Sequence, residues 1–307
     1  MNLLAGGTGF VGGHVVEYLF QQGEMSKGIF RKGSHLKILD TSGVQLIEAD
    51  LLDHHSLHEA MEGVDVVYNL VSPMPGTDSD FMKTNTEGVQ NLLDAAVESK
   101  VKVFVHLSTI EVHGFRPDIP DASAPFAPSN DYQRSKAEAE RVLQEFSRRN
   151  QAPRVAIVRA AKAVGSRDET LVTPLLRMLR TGKVVVPSAG TMSFTHPRDI
   201  AQGMFLAANG AIPSGRAFLL KSFDSTTEEL AAGIVKATGA KAEVKKQGRL
   251  SSSTLPNYTT EQVRASTRIG EQPGWKELGY APKYDLKSTC EEIALWFKKE
   301  PWTAESA

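Results

Sequence analysis

The chain has 307 residues, of which 41% are hydrophobic and 23% are charged, and its formal net charge is -1. This balance gives no field that would attract nucleic acid or an anionic membrane, so we expect neither as a partner. No apolar stretch approaches the roughly 20 residues that span a bilayer, and "MNLLAGG" lacks the regions of a signal peptide, so we expect a cytoplasmic protein. Because Cys290 is the single cysteine, we expect no disulfide framework and no cysteine-rich metal site. His54 and His58 share a predicted helix face without a third ligand nearby, so we expect no metal there either.

The first half of the chain alternates short apolar runs with helical patterns. In order, we predict strand "NLLAGG", helix "HVVEYLFQQG", strands "KGIFRK" and "VQLIEADLLD", helix "SLHEAMEG", strand "VDVVYNLVS", helix "NTEGVQNLLDAAVESK", strand "VKVFVHLST", helix "YQRSKAEAERVLQEFSRRN" and strand "RVAIVRAA". Strands buried on both faces read as continuous apolar runs, as these do. The alternation predicts an α/β fold with a doubly wound, Rossmann-type parallel sheet.

After about Gly165 the pattern changes, because turn residues increase and the predicted strands become irregular. Helical patterns follow at 198–209, 226–239 and 284–299. We therefore predict a dinucleotide-binding domain over 1–165, with a later segment near 193–222 returning to it. The remainder, 166–307, is predicted to form a smaller α/β substrate-binding domain.

The stretch "AGGTGFVGGHVV" lies between the first predicted strand and the first predicted helix. It satisfies G-x-x-G-x-x-G through Gly6, Gly9 and Gly12, with Phe10 and Val11 between the last two glycines. Glycine permits the tight turn and lets backbone N–H groups approach a pyrophosphate at a helix N-terminus. The flanking strand and helix supply the context that such a motif requires, so we predict dinucleotide binding rather than a purely structural turn.

The ends of the second and third strands bear on the choice of cofactor. In this fold an acidic residue after the second strand binds the free 2′-hydroxyl of NAD, but here Arg31 and Lys32 follow it. Two cations suit the 2′-phosphate of NADP, so we favour NADP, with NAD as the alternative and an exposed basic turn as the non-functional interpretation. Asp50 could accept from the adenine amino group, or could simply cap its strand.

Tyr132 and Lys136 lie four residues apart near the start of a predicted helix and therefore share a face. A free tyrosine has a pKa of about 10. A nearby ammonium stabilises the phenolate, and we expect Lys136 to lower the pKa of Tyr132 in this way. The phenol would then exchange a proton with a substrate hydroxyl while a hydride moves. Taken alone, the pair would more often be a solvated surface pair.

Together these motifs resemble the extended branch of the short-chain dehydrogenase/reductase superfamily, which includes NAD-dependent epimerases and dehydratases. The resemblance covers nearly the whole chain and is carried by "GGTGFVGG", "DLLD", "NTEGVQNLL", "LSTIEVHG", "YQRSK", "RAAKAVG", "SFTHPRDIAQGMFLA" and "LGYAPKYDLKSTCEEIALWF". It implies an NAD(P)-dependent enzyme with Tyr132 as acid/base and Lys136 as its modulator. Thr109, with Ser108 as a less certain partner, would polarise the substrate carbonyl.

The resemblance also implies further contacts. Many relatives pair through helices that correspond here to 86–99 and 132–149, which makes a homodimer an expectation. Beyond the glycine loop, Arg31, Asp50 and Lys136, the implied cofactor contacts are Lys32, Leu51, Leu70, Val71, Ser72 and Ala160.

The residues after the fifth strand distinguish branches of this superfamily. Sugar-nucleotide 4,6-dehydratases carry a pattern similar to Ser-Thr-Asp-Glu-Val-Tyr-Gly, whose acidic pair removes water. Here Glu111 is kept, but Ile110 stands at the position of the aspartate and cannot protonate a leaving hydroxyl, which argues against dehydration. His113 replaces the tyrosine and is expected to be a packed, hydrogen-bonded histidine.

Further departures from the nucleotide-sugar pattern concern the substrate. Counting back from "DIA" places Met192 where such enzymes carry a pyrophosphate-binding arginine, and Lys162 replaces their asparagine. Met192 suits an adaptable apolar pocket. Lys162 either binds an anionic group of the substrate or is a solvent-exposed lysine where the two predicted domains meet. Pro73 and Met74 would border the nicotinamide as part of a less polar wall. The expected substrate residues are Pro73, Met74, Ile110, Glu111, Lys162 and Met192.

The remaining pattern is closest to the branch of 3β-hydroxysteroid dehydrogenases and dihydroflavonol reductases. The leading hypothesis is an NAD(P)-dependent oxidoreductase that acts on a secondary alcohol or ketone of a small substrate. One alternative is a nucleotide-sugar epimerase with tightly bound NAD. Another is a non-catalytic redox sensor that binds NADP, although relatives of that kind often lack the tyrosine or the lysine.

Overall fold

A computed structural model of the protein describes residues 1–34, 36, 43–73, 78–247 and 255–299. Within these residues the strands are β1 (Asn2–Ala5), β2 (Ser26–Phe30), β3 (Gln45–Glu48), β4 (Val66–Asn69), β5 (Val103–Thr109), β6 (Asp118–Ile119), β7 (Arg154–Ala160), β8 (Lys162–Ala163), β9 (Lys183–Pro187), β10 (Met192–Thr195), β11 (Arg216–Leu220), β12 (Phe223–Ser225), β13 (Glu243–Gln247) and β14 (Arg268–Ile269).

The helices of the described residues follow the same chain order. They are α1 (Phe10–Gln21), α2 (His54–Ala60), α3 (Asp78–Met82), α4 (Gly88–Glu98), α5 (Asp131–Arg149), α6 (Val172–Leu179), α7 (Pro197–Asn209), α8 (Thr227–Thr238), α9 (Asn257–Ala265), α10 (Pro273–Leu278) and α11 (Leu286–Lys299). A π-helical turn (Lys83–Glu87) joins α3 to α4, and a 3-10 turn (Ile110–His113) follows β5. None of these helices is both long and apolar enough to cross a membrane.

The central sheet has seven strands in the order β3-β2-β1-β4-β5-β7-β11. Every neighbouring pair in it is parallel. The predicted doubly wound parallel sheet is therefore confirmed. Because β1 has β2 on one side and β4 on the other, the strand order reverses beside β1, and this switch point opens a crevice at the carboxyl ends of the strands.

Helices cover both faces of this sheet, as the alternation of side chains along each strand requires. In β1, Leu3 packs in a cluster with Leu57 of α2 and Leu92 of α4. The next residue, Leu4, packs on the other face with Val15 of α1 and Met204 of α7. The continuous apolar runs in the sequence thus supply both layers of the core.

The segment near 193–222 divides between two parts of the fold. Its helix α7 packs against α1, and its strand β11 extends the central sheet by pairing with β7, Phe218 opposite Val158. Its first strand, β10, instead lies in a small sheet between β12 and β8. A separate apolar core joins β9, β10, α6, α8 and α11 in the second half of the chain, and Cys290 is buried there.

The start of one predicted helix differs from the structure. The sequence predicts a continuous helix over "NTEGVQNLLDAAVESK", but its first three residues belong to the π-helical turn Lys83–Glu87. The buried Asn85 donates to Ser135 Oγ at 3.0 Å. The wider turn brings the chain beside α5, at the helix end that carries Tyr132.

Candidate active site

The glycine loop forms a cradle at the N-terminus of α1. Gly6 has a φ of +93°, which disfavours a side chain, and a Cβ on Gly12 would lie 1.9 Å from the Gly6 carbonyl oxygen. Gly9 caps α1 without a side-chain hydrogen bond, and the first turn contains no acidic residue. The free backbone N–H groups and the positive end of the helix dipole fit a pyrophosphate, so the residues present suit a dinucleotide.

Two adjoining cavities meet at this cradle. The smaller, about 210 Å³, extends toward Arg31 and Asp50, and the larger, about 560 Å³, extends toward Tyr132. They share Gly6, Thr8, Gly9, Leu70 and Ser72 in their walls. An elongated ligand lying across the glycine loop would therefore reach both the end of β2 and the start of α5.

The smaller cavity contains several of the predicted cofactor residues. Arg31 lines it together with Ser34, whereas Lys32 is exposed and does not. Asp50 also lines it. Its Oδ1 accepts from the Leu52 backbone N–H at 3.0 Å, so Asp50 caps the turn after β3 and also reaches the cavity. The other predicted residues in its wall are Leu51, Leu70, Val71 and Ser72.

Pro73 lines the smaller cavity, next to Ser72, which lines both cavities. Its place in a substrate wall beside the nicotinamide stays a prediction. Met74, its neighbour in that prediction, lies outside the described residues.

Tyr132 and Lys136 both line the larger cavity. They are placed by α5, whose N-cap Asn130 accepts from the Gln133 backbone N–H at 2.9 Å. Lys136 Nζ donates to the Leu107 carbonyl oxygen at 2.7 Å and lies 3.5 Å from His106 Nε2. Burial lowers the pKa of Lys136 to about 8, and the nearby Glu140 opposes this shift.

The electrostatics of Tyr132 differ from the expectation. Burial and the Glu111 carboxylate raise the pKa of Tyr132. Lys136 does not lower it as expected, because its ammonium is directed to the Leu107 carbonyl oxygen. In this structure Tyr132 is a neutral phenol that can donate its proton.

The two hydroxyls that end β5 have different partners, although both line the larger cavity. Ser108 Oγ donates to Glu140 Oε1 at 2.5 Å, so its hydroxyl proton is already used in that hydrogen bond. Thr109 Oγ1 accepts from the Glu111 backbone N–H at 3.2 Å, and this leaves its own proton available. Thr109 is therefore the hydroxyl that can donate to a carbonyl oxygen in the cavity.

His113 belongs to a buried network beneath these hydroxyls. Its Nε2 lies 3.0 Å from Arg159 Nη1, and its Nδ1 lies 3.2 Å from the Pro125 carbonyl oxygen. Burial and the Arg159 charge lower the pKa of His113 to about 4. The neutral ring thus donates from Nδ1 and accepts at Nε2, and the expectation of a packed, hydrogen-bonded histidine is confirmed.

Met192 and Ile110 do not reach the larger cavity, and their assignment to a substrate pocket was wrong. Met192 is 2% exposed in the core of the second half, and Ile110 packs with Ile119, Leu219 and Ile269. Counting along the sequence placed Met192 beside the substrate, but the pairing of β10 inside the small sheet directs its side chain into that core.

The other two expected substrate residues lie at or behind the cavity wall. Lys162 lines the cavity, and its Nζ donates to Thr170 Oγ1 at 2.8 Å. Glu111 is 3% exposed and accepts hydrogen bonds from Tyr258 and Gln262, which do line the cavity. Glu111 is thus separated from the cavity by side chains of α9.

The remaining predicted cofactor residues also line the larger cavity. Phe10, Val11 and Gly12 form the wall at α1, and Ala160 forms the wall at the end of β7.

A profile of the NAD dependent epimerase/dehydratase family matches residues 2–220, the span that carries the cradle, Tyr132 and Lys136. The chain belongs to the NAD dependent epimerase/dehydratase family. It is accordingly an enzyme of an NAD-dependent type.

Similarity to individual known proteins extends over most of the chain. Uncharacterized protein YbjS of Escherichia coli (strain K12) is 24% identical over 96% of this chain and 97% of its own. Sterol demethylase protein B of Methylococcus capsulatus is 28% identical over 77% of this chain and 74% of its own. The structure of UDP-glucuronic acid 4-epimerase from Bacillus cereus in complex with NAD matches with a TM-score of 0.81, at 20% identity over 97% of this chain and 96% of that chain.

Several residues that line the cavities were not predicted from the sequence. Thr8 belongs to the glycine loop itself, and Ser34 follows Arg31 in a turn. Tyr258 and Gln262 come from α9, far from every motif in the sequence, so no local signal identified them. Arg167 lines the larger cavity and bonds to Glu17 Oε1 at 2.7 Å.

Proposed function

We propose that the protein is an NADP-linked oxidoreductase that transfers a hydride between nicotinamide and a secondary alcohol or ketone of a small, largely apolar substrate. One observation carries the proposal: a continuous pair of cavities has the phosphate cradle in the middle, Arg31 at one end and the Tyr132 and Thr109 hydroxyls at the other. When bound, the nicotinamide supplies or accepts the hydride. The chain supplies the binding, orientation and proton transfer.

The preference for NADP rests on the end of β2. Arg31 lines the smaller cavity, and its backbone N–H donates to Ser34 Oγ at 3.2 Å. A guanidinium beside a hydroxyl suits a phosphate better than the free hydroxyl of an NAD ribose. Lys32, which is exposed outside this cavity, contributes less to the preference.

The proton in ketone reduction comes from Tyr132. Its phenol is neutral and faces the larger cavity, while Thr109 has a free O–H to polarise the same carbonyl oxygen. Lys136, whose ammonium is anchored on the Leu107 carbonyl oxygen, lines the same cavity. Two converging O–H donors stabilise the negative charge that develops on the carbonyl oxygen.

An apolar part of the substrate is inferred from part of the larger cavity's lining. Ala160, Ala161, Ala163 and Ile200 belong to that lining, and their side chains offer no hydrogen bonds. The similarity to a protein named sterol demethylase protein B supports a ketone or alcohol on an apolar skeleton.

The test combines cofactor binding with a substrate screen. Purified protein is titrated with NADPH and NADH by fluorescence and then mixed with NADPH and cyclohexanone, acetophenone or a 3-ketosteroid. We expect tighter binding of NADPH and loss of its absorbance with at least one ketone. Equal binding of the two cofactors would contradict the NADP preference, and no turnover of any ketone would contradict the reductase.

A nucleotide-sugar epimerase is the second candidate, because Lys162 and Arg167 place two cations in the wall of the larger cavity. Such cations could bind the phosphates of a nucleotide sugar. An epimerase would retain NAD through purification and would interconvert UDP-glucose and UDP-galactose without net change of the cofactor. The same preparation therefore distinguishes the two candidates.

A further inference from the structure

Two polar side chains are buried behind Lys136, and the proposed reaction does not use them. Asn69 ends β4, and His106 lies opposite it on β5 in the parallel pairing of the two strands. Two residues earlier on each strand, Val67 and Phe104 pack in the apolar core. Because side chains alternate along a strand, Asn69 and His106 lie on the same face of the sheet, and both are fully buried. Burying polar groups costs free energy unless they are hydrogen-bonded, so each needs a partner.

Hydrogen-bond contacts join this pair into a chain that ends at Lys136. The Val71 backbone N–H donates to Asn69 Oδ1 at 3.2 Å. Asn69 Nδ2 lies 3.1 Å from His106 Nδ1. His106 Nε2 lies 3.5 Å from Lys136 Nζ, which donates to the Leu107 carbonyl oxygen at 2.7 Å. The chain of contacts therefore runs from the segment after β4, which lines the smaller cavity, to the lysine that lines the larger one.

The direction of these hydrogen bonds fixes the tautomer of His106. Since Asn69 Oδ1 accepts from a backbone N–H, its amide nitrogen faces the ring, and an amide nitrogen can only donate. His106 Nδ1 therefore accepts, and the single proton of a neutral imidazole must lie on Nε2. Burial and the charge of Lys136 keep the ring neutral, because they lower the pKa of His106 well below its ordinary value. The Nε2–H group then points at Lys136 Nζ.

An N–H group that points at Lys136 Nζ affects the two charge states of the lysine differently. The neutral amine has a lone pair that accepts from His106 Nε2–H, while the amine still donates to the Leu107 carbonyl oxygen. The ammonium has no lone pair, so the same contact brings two donors together. The arrangement favours loss of the proton, in the same direction as burial, which lowers the pKa of Lys136 to about 8. Tyr132, four residues earlier, is neutral because its pKa is raised, so it adds no charge.

Charged groups on the neighbouring elements have partners of their own. Glu140, one turn after Lys136 on α5, favours the ammonium, but its carboxylate bonds to Arg159 of β7. Arg159 also contacts His113, on the turn after β5. Glu111, on the same turn, accepts hydrogen bonds from two residues of α9. Within the described residues, the hydrogen-bond contacts of Lys136 Nζ are both with β5.

We propose that Asn69 and His106 are positioning residues that act through Lys136: Asn69 holds the imidazole proton on Nε2, and this N–H group is the partner of Lys136 as a neutral amine. Neither residue lines either cavity, so neither contacts substrate or cofactor. The lysine thereby keeps a complete set of hydrogen bonds when it loses its proton. The inference rests on the proposed function only in placing Lys136 at the reaction site.

The first experiment reads the tautomer without substrate or cofactor. In long-range ¹H–¹⁵N NMR spectra of protein with ¹⁵N-labelled histidine, each ring shows which nitrogen carries the proton. The chain has 8 histidines, and His106→Gln identifies the signals of His106. We expect the proton on Nε2 at neutral pH and at about pH 9, on either side of the pKa of Lys136. His113 is the internal control, because its Nδ1 faces the Pro125 carbonyl oxygen and should carry the proton.

A variant of nearly the same shape tests the role of Asn69. In Asn69→Asp a carboxylate can accept from both the Val71 N–H and the ring, so the His106 proton should move to Nδ1. His106 Nε2 would then accept from the Lys136 ammonium. Gln144→Glu is the matched control, because it introduces the same charge change two turns further along α5, and it should leave the tautomer unchanged.

The second experiment follows the titration of Lys136 in protein with ¹³C-labelled lysine Cε. The NMR titration runs from neutral pH to about pH 10, and Lys136→Met identifies the signal. In Asn69→Asp, Lys136 should lose its proton at least about one pH unit higher than in the wild type, because the ring and the carboxylate now both favour the ammonium. A rise without a change of tautomer would be an effect of charge alone and would overturn the proposal.

The wild-type spectrum decides the matter even if Asn69→Asp does not fold. The proposal is overturned if His106 carries its proton on Nδ1 in the wild type, or if folded Asn69→Asp leaves it on Nε2. If His106→Gln does not fold, Lys136→Met identifies the ring by the change in its signals. If no ketone is reduced, the proposed function fails, while the NMR experiments still test Asn69 and His106.

Discussion

Arg159 and Glu140 form a buried ion pair between β7 and α5, with Arg159 Nη2 2.6 Å from Glu140 Oε2. The same carboxylate accepts from Ser108 Oγ, and Arg159 also reaches His113 Nε2. The pair therefore joins the end of β5 to the helix that carries Tyr132. It holds the Thr109 hydroxyl and the Tyr132 phenol in a fixed relation.

Removing one partner of this pair should destabilise the protein strongly. Arg159→Met leaves Glu140 charged and buried, so we expect a loss of about 3–5 kcal/mol in the free energy of unfolding, measured by urea denaturation. Arg149→Met, which breaks the exposed pair with Glu145, should cost less than about 1 kcal/mol. If the double variant with Glu140→Leu were no more stable than Arg159→Met alone, the explanation by an unpaired charge would be wrong.

Gly12→Ala should abolish dinucleotide binding. Its Cβ would lie 1.9 Å from the Gly6 carbonyl oxygen, so the loop must move and the cradle is lost. Fluorescence titration with NADPH measures the effect. Gly270→Ala is the matched control, because nothing lies within 4 Å of the added methyl group and no positive φ constrains the residue. Unchanged NADPH binding by Gly12→Ala would show that the cofactor does not lie on this loop.

Arg31→Ala should weaken the binding of NADPH about tenfold, equivalent to about 1.4 kcal/mol, and leave the binding of NADH nearly unchanged. The reason is that Arg31 lines the smaller cavity, where it would face the 2′-phosphate. Lys32→Ala removes an equal charge outside that cavity and should have the smaller effect. If Arg31→Ala weakened the binding of NADPH and NADH equally, Arg31 would not contact the 2′-phosphate.

Tyr132→Phe should lower kcat at least about 100-fold, because it removes the proton donor of the proposed reaction. NADPH affinity should stay close to that of the wild type, since the ring is preserved. Stopped-flow reduction of the ketone measures the chemical step, and fluorescence measures binding. A variant that retained the wild-type rate would exclude Tyr132 as the acid.

Lys136 should give stability a distinct pH dependence. Burial lowers its pKa from the ordinary value of 10.5 to about 8. Between these values the unfolded chain binds more protons at Lys136 than the folded protein does, so this group makes the free energy of unfolding rise with pH across that window. The free energy of unfolding of the wild type, relative to that of Lys136→Met, should therefore increase as the pH rises through this window. A difference that stayed constant in urea titrations across the window would contradict the lowered pKa.

The sheet and the cradle could be predicted because their signals are local. Each strand needs an apolar run, and the turn into α1 needs glycine, since a Cβ at Gly12 has no space. The spacing of Tyr132 and Lys136 fixes a shared helix face whatever the rest of the chain does. The sequence could not show where the Lys136 ammonium would be directed. It bonds to the Leu107 carbonyl oxygen, and this contact depends on the packing of α5 against β5.

By itself, then, the sequence determined the parallel sheet, the glycine cradle and the order of the motifs, because backbone conformation and side-chain periodicity are encoded by neighbouring residues. Only the tertiary structure decided which side chains meet at the cavity. It buried Met192 and Ile110 in cores, and it brought Tyr258 and Gln262 to Glu111. Contacts between segments about 150 residues apart depend on how the two halves pack, and no local pattern carries that information.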